Sequence, residues 1–368
     1  MDHPVRGPLD LGIHVLCELL HSDAVDHIVC LARKRHSIAP ETRINHYLMY
    51  YFNDLFTDLM EKKVQIIDAD ITDEDLAEHL KDVPCDVIIN CAAMVKHFET
   101  GNLIHKINTE GVVHLIELAL AVNARLVQVS TLSIAGQVDS DLLDEIILKE
   151  TDFEIGQRTD TNKYVESKYD AEAAIYDAME QRGLKAKVIR IGNLMGRRSD
   201  GEFQMNFNTN GFVNRLKAYR VLGCFPVSRM DEPVEFSPVD MTAKAVVTLA
   251  GTPDEFSVFH ANNCHNIHFA NVLEAFEECG YHIDVVDDET FSKRFSEALY
   301  DETKSLYVSS LIAYADNENK TLQWTLSDNT YTVKALYRLG FSWPVISPVY
   351  VRKHLEALAT LGFFDPEE

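Results

Sequence analysis

Short runs of β-branched and aliphatic residues alternate with longer amphipathic stretches through the first half of the chain, and few folds accept that alternation. Ile28 to Ala32, Val64 to Ile67, Asp86 to Asn90, Arg125 to Val129 and Ala186 to Ile191 read as buried strands. Between them, Leu11 to Leu20, Pro40 to Lys63, Asp73 to Leu80, Leu103 to Val122 and Asn162 to Gln181 read as helices. Parallel strands need crossovers of this length, so the pattern predicts an α/β fold, a doubly wound parallel sheet wrapped by helices. Strands that close on small or polar residues, as in Asn90-Cys91-Ala92-Ala93 and Ser130-Thr131, place ligands beyond their carboxyl ends.

The strand periodicity fades after about residue 200, where helices with short strands take over. The 368 residues therefore divide into a Rossmann-like nucleotide-binding region at 1–200 and a smaller C-terminal α/β substrate subdomain at 201–368. A formal charge of −24 opposes polyanions, which excludes general binding to nucleic acid or an anionic membrane surface. No stretch approaches the roughly 18 apolar residues of a membrane span, and the seven scattered cysteines form no C-x-x-C pair. Reduced thiols and a cytoplasmic location are the expectation. His260, Cys264 and His265 lack the spacing of a metal site, so no metal is expected.

The strongest local signal is Tyr164-x-x-x-Lys168 within a helical pattern. Positions i and i+4 share a helix face, which puts Lys168 beside the Tyr164 phenol to lower its pKa from about 10 toward the working range. A tyrosine so tuned donates a proton to a carbonyl oxygen, and Thr131 at the strand end would hold that oxygen.

These elements make the chain resemble the extended short-chain dehydrogenase/reductase superfamily. Within it, the resemblance is to the thioester reductase domains that end many nonribosomal peptide synthetases and carboxylic acid reductases. It rests on LGIHVLCELL, the CLAR at Cys30 to Arg33, the DADIT at Asp68 to Thr72, NCAAMVKHF from Asn90 and INTEGV from Ile107. VSTLSIAG from Val129, YVESKYDAE from Tyr164, RIGNLMGRRSDGEFQMN from Arg190, SPVD from Ser237 and the closing GFSWP and GFFDP extend it.

The resemblance implies catalytic roles for Thr131, Tyr164 and Lys168, with Thr131 preferred to Ser130 and Ser133 by its offset from Gly136. It implies cofactor contacts at Gly12, Arg33, Asp70, Ile71, Ala92, Ala93, Lys168 and Asn193. Arg33, assisted by Lys34 and Arg35, would face an adenosine 2′-phosphate and select NADPH. The implied activity is NADPH-dependent reduction of an acyl or peptidyl thioester, delivered by a phosphopantetheinylated carrier protein, to an aldehyde or onward to an alcohol. Carriers are usually acidic, which directs attention to Arg215, Lys217 and Arg220 as a docking patch.

One departure stands out. Such domains open with a strand and a turn of the form T-G-x-T-G-x-x-G, whereas here Gly12 alone matches, with Arg6 and Leu9 at the first two glycine positions. Pro4 and Asp2 do not suit a central strand. The first strand and glycine-rich turn are therefore expected to be missing, and the native polypeptide is expected to extend upstream. Two further readings stay open: a dehydrogenase or epimerase acting on a free acyl-CoA, ketone or nucleotide sugar, and a non-catalytic truncated remnant.

Overall fold

The computed structural model describes residues 10–35, 37–53, 56–95, 102–139, 141, 146–204, 210–314 and 322–364. The chain runs through α1 (Asp10–His21), β1 (Ile28–Leu31), α2 (Pro40–Phe52), α3 (Thr57–Lys63), β2 (Val64–Ile67), α4 (Leu76–Leu80) and β3 (Val87–Asn90). It continues with α5 (Leu103–His105), α6 (Gly111–Val122), β4 (Arg125–Thr131), β5 (Gln137–Asp139), β6 (Ile147–Leu148), α7 (Lys163–Arg182) and β7 (Ala186–Ile191). Next come β8 (Leu194–Met195), α8 (Gly211–Leu222), β9 (Cys224–Pro226), β10 (Pro233–Val234), β11 (Ser237–Pro238), α9 (Val239–Ala250) and β12 (Val258–Ala261). The last elements are β13 (Ile267–His268), α10 (Phe269–Glu278), β14 (Asp284–Val286), α11 (Asp288–Leu299), α12 (Ser305–Val308), β15 (Leu322–Trp324), β16 (Leu326–Ser327), α13 (Thr330–Arg338) and α14 (Pro348–Thr360).

Two compact units arise from this path. The first holds the described residues up to Gly192 together with Thr242–Ala261 and Leu322–Ser342. Its four-stranded sheet has the order β12-β7-β4-β3 with every pair parallel. The α/β expectation is met. β4 lies between two neighbours, and Leu126, Val127 and Gln128 are almost wholly buried. Gln128 tolerates that position because its amide is bonded on both sides: Asn90 Nδ2 donates to its Oε1 at 2.9 Å, and its Nε2 donates to the Val129 carbonyl at 2.8 Å. Leu76, Leu115, Ile116, Leu126, Ile175 and Val188 pack α4, α6 and α7 onto the sheet.

β1 and β2 pair with each other in parallel as a separate ladder. Among the described residues, neither β1 nor β3 has a second neighbour strand. The segment carrying Arg6 and Leu9, where the sequence lacks the strand and glycine-rich turn, lies outside the described residues.

The second unit holds Asn193–Met241, Asn262–Thr321 and Trp343–Glu368. Its core is aromatic, built on Phe203, Phe212, Tyr219, Phe225, Phe236, Phe269, Phe276 and Phe363. Where the sequence placed one boundary near residue 200, the chain leaves the first unit at Gly192 and returns twice. The returns follow from pairing: β12 extends the main sheet beside β7, and β15 pairs with β5.

Two helices differ from the sequence expectation. Pro40 to Lys63 is not one helix but α2 and α3, because Asn53 adopts φ 55°, ψ −150° and its N–H bonds back to the Met49 carbonyl. The stretch from Leu103 to Val122 passes through a π-helical turn at Lys106–Glu110.

Gly136 shapes the connection after β4. It sits at φ 60°, ψ −154°, and a Cβ there would stand 2.6 Å from the Arg158 carbonyl oxygen. Gly136→Ala should destabilise the fold by about 2 kcal/mol or more. Gly183→Ala, at φ 70° in open space, should lose only about 1 kcal/mol. Equal shifts of the two variants in denaturant titration would contradict this.

Candidate functional site

The site grows from the first turns of α7. Asn162 caps the helix, its side chain accepting the N–H groups of Tyr164 at 2.9 Å and Val165 at 3.4 Å. That cap sets the phase in which Tyr164, Lys168 and Glu172, spaced i, i+4 and i+8, all turn inward. Lys168 is 3% exposed, and its Nζ donates to the Val129 carbonyl of β4 at 2.8 Å. Thr131 ends that strand; its Oγ1 accepts the Ser133 N–H at 3.1 Å, and its side chain is hydrogen-bonded to the Tyr164 phenol.

Thr131, Tyr164 and Lys168 are thus brought together at the carboxyl end of β4. The electrostatics differ from expectation. Burial pushes the Tyr164 phenol up to about 12, only partly offset by the Thr131 bond, so the phenol is protonated at neutral pH. Burial also draws the Lys168 ammonium down to about 8, opposed chiefly by the Glu172 carboxylate.

The π-helical turn supplies residues that the sequence reading missed. Asn108, 1% exposed, accepts the Met94 N–H at 2.7 Å and donates to the Met94 carbonyl at 2.9 Å and to Ser167 Oγ at 3.0 Å. Ser167 Oγ donates to the Tyr164 carbonyl, and Thr109 Oγ1 donates to the Ser167 carbonyl. The segment after β3 is therefore tied to the turn of α7 that carries Tyr164. The signal available in the sequence was the Asn108-Thr109 pair within INTEGV, two small polar side chains ahead of the apolar run from Gly111.

The other named residues gather at strand ends of the first unit. Gly12 in α1 lies against Cys91 after β3; a Cβ on Gly12 would stand 3.7 Å from that of Cys91. The Ala92 N–H donates to Asn90 Oδ1 at 3.0 Å, and Ala92 and Ala93 are half-buried. Arg33, after β1, donates to Asp70, after β2, at 2.8 Å. Partial burial raises the Asp70 carboxyl, but its bonds from Thr72 and Arg33 outweigh this and hold it below the usual range. Ile71 packs against Gly111, and its carbonyl lies 2.8 Å from His114 Nδ1.

Arg43 of α2 was missed as well. It is buried, donates to the Arg33 carbonyl at 2.6 Å, and is lowered by burial and by the nearby charges of Arg35 and Arg33. Its Nε has no hydrogen-bond partner among the described residues.

Asn193 opens the second unit, exposed, with its N–H donated to Glu235 at 2.5 Å. Burial pushes the Glu235 carboxyl up to about 7, against the bonds it accepts from Ser237 and from the backbone of Asn193 and Asn263. The expected docking patch does not form. Arg215 is buried, donating to both Glu232 oxygens and lying 4.6 Å from the Phe269 ring centroid, and Lys217 is buried over Tyr307 and Phe363. Arg220 lies over the Tyr281 ring. His260 is buried between Arg190 and the Asp328 carbonyl, and the described residues contain no cluster suited to a metal.

The family model described as Male sterility protein, an NAD-binding family, matches residues 10–246. The chain belongs to this male sterility protein family. An isonitrile lipopeptide synthase of Streptomyces coeruleorubidus is 28% identical over 283 residues, covering 74% of this chain and 18% of that protein. A carboxylic acid reductase of Segniliparus rugosus is 25% identical over 261 residues, covering 63% of this chain and 21% of its own length. The chain thus spans about a fifth of the length of these curated relatives. Among solved structures, a thiolation-reductase di-domain from an archaeal non-ribosomal peptide synthetase superposes with a TM-score of 0.86 at 32% identity, covering 96% of this chain and 74% of that one. The resemblance to reductase domains read from the sequence is borne out at the level of family and fold.

The Asn108 clamp in this male sterility family chain is testable apart from activity. Asn108→Leu removes three hydrogen bonds and strands two Met94 backbone groups, for a loss of about 2 kcal/mol. Amide exchange should quicken at Met94 and at the start of α7. An exchange pattern unchanged in both places would contradict the clamp.

Proposed function

We propose that this chain is an NADPH-dependent reductase of an acyl or peptidyl thioester carried on the phosphopantetheine arm of a carrier protein. The observation that carries the reading is the convergence of the Thr131 hydroxyl, the protonated Tyr164 phenol and the buried Lys168 ammonium at one strand end. Family membership supports a nicotinamide cofactor. Likeness to a thiolation-reductase di-domain supports a carrier-borne substrate.

The residues at the strand ends suit the cofactor. Gly12 leaves room at the start of α1, and Ala92 and Ala93 keep side chains short where a pyrophosphate and ribose would approach. Arg33 and Arg35, with the unused Nε–H of buried Arg43 behind them, form a donor set fitted to a 2′-phosphate. When bound, NADPH supplies the hydride.

Thr131 and Tyr164 donate hydrogen bonds to the thioester carbonyl oxygen, which becomes an oxyanion as the carbonyl carbon is reduced. The Tyr164 phenol is the proton source there, and the Lys168 ammonium stabilises the phenolate left behind. Cleavage of the carbon–sulfur bond then releases the thiol and leaves an aldehyde. A second reduction, to the alcohol, would use the same three side chains.

The test is turnover of an acyl-phosphopantetheine thioester with NADPH. Tyr164→Phe should lower kcat by about 10²- to 10⁴-fold while leaving NADPH affinity within about twofold. NADPH should bind at least about tenfold more tightly than NADH, and Arg33→Ala should remove most of that preference. Equal affinities for the two cofactors, or full activity in Tyr164→Phe, would overturn the assignment.

A further inference from the structure

Behind the proposed site, α7 and β7 enclose a line of charge that the reaction scheme above does not use. Glu172 follows Lys168 by one helical turn on the same inward face, and neither side chain reaches solvent. Arg190 of β7, itself fully buried, grips that carboxylate: Nε lies 3.3 and 3.1 Å from the two oxygens, and Nη2 lies 2.8 Å from Oε2. The remaining guanidinium donors are used as well. Nη1 donates to the Asp152 carbonyl at 3.0 Å and meets His260 Nε2 at 3.1 Å, while Nη2 reaches the Tyr176 hydroxyl at 3.3 Å.

His260 is held neutral in this setting. Its Nδ1 lies 2.6 Å from the Asp328 carbonyl, so Nδ1 carries the proton and Nε2 accepts from Arg190. Burial and the Arg190 charge draw His260 down to about 4. Tyr176 donates to Glu172 at 3.2 Å and is raised above the ordinary phenol range by burial.

We propose that Glu172 is a positioning residue of the reductase site, its carboxylate fixed by Arg190 so as to keep the buried Lys168 ammonium charged. The inference rests on the functional reading above and extends it to a residue that touches neither substrate nor cofactor. An ammonium in a low-dielectric interior favours its neutral form unless an anion lies close. The groups facing Lys168 are Glu172 on α7, Cys91 after β3 and the Val129 carbonyl of β4. Those facing Glu172 are Arg190 of β7 and Tyr176 and Tyr169 of α7, with His260 of β12 behind Arg190. Both Glu172 and Cys91 favour the charged lysine, and the Cys91 thiol, raised by burial to about 12, carries no charge at neutral pH. Among the described residues, Glu172 is therefore the anion available to hold it.

The sign follows directly. Lys168 loses its proton as pH rises through about 8, and removing the Glu172 charge moves that transition to lower pH. Isotopically labelled lysine side chains read it in the cofactor-free protein, with the Lys168 resonance assigned by its absence in Lys168→Met. In Glu172→Gln the Lys168 midpoint should fall by about one pH unit or more. In Glu172→Asp it should stay near the wild-type value. Glu172→Gln leaves Arg190 without its anion and is expected to melt earlier, so Glu172→Gln with Arg190→Met is the second variant. It should show the same downward shift.

An unchanged Lys168 midpoint in either folded variant overturns the proposal. Adding NADPH to the same wild-type sample tests the functional reading separately. A Lys168 resonance that responds to Glu172→Gln but not to NADPH would reject the reductase site and keep the charge assignment.

Discussion

The buried ammonium of Lys168 organises the site-bearing part of the first unit. Lys168 sits with 3% of its surface exposed between α7 and β4, bonded to the Val129 carbonyl, and the surroundings are arranged around the charge it carries. Glu172 lies one turn away, and Arg190 returns the favour to Glu172 from the next strand. Breaking a pair of this kind by removing one partner leaves an uncompensated charge in the core, a loss of about 3–5 kcal/mol. The fold therefore depends on β4, β7 and α7 keeping their relative placement, and the same placement delivers Thr131 and Tyr164 to one point.

The second unit is built on different physics. Its interior is aromatic, and two of its basic side chains serve that interior: Arg215 and Lys217 lie over rings contributed by Phe269, Tyr307 and Phe363. Cations used this way contribute by packing their stems and stacking their heads, and they are no longer offered to an acidic partner. Reading them as a surface patch failed because Phe269, Tyr307 and Phe363 come from α10, α12 and the stretch after α14, all far from α8 along the chain.

What the sequence displayed was what local periodicity can carry. The strands β1 to β4 and β7, the helix starting near Asn162 and the Tyr164–Lys168 spacing are all local, and all were legible, whereas the three- and two-residue strands β5 and β6 were not. The break at Asn53 was not, because a left-handed asparagine leaves the amphipathic pattern intact on both sides. Nor was the π turn at Lys106–Glu110, whose extra residue per turn is set by the inward bonds of Asn108 and Thr109. Arg43 behind Arg33 and Arg190 on Glu172 depend on contacts between separate elements. The interleaving of the two units follows from the late return of β12 and β15 to the first sheet region, which no run of residues announces.

The proposed function turns on place: a cofactor and a reacting carbonyl would have to meet where Thr131, Tyr164 and Lys168 converge. Amide hydrogen exchange on the 368-residue chain, with and without saturating NADPH, tests that place most directly. The account predicts slowed exchange at Gly12, from Ala92 to Met94, around Thr131 and through the first turns of α7, together with Arg33 and its neighbours after β1. Protection confined to the aromatic unit, or no protection at a concentration where NADPH is bound, would contradict it.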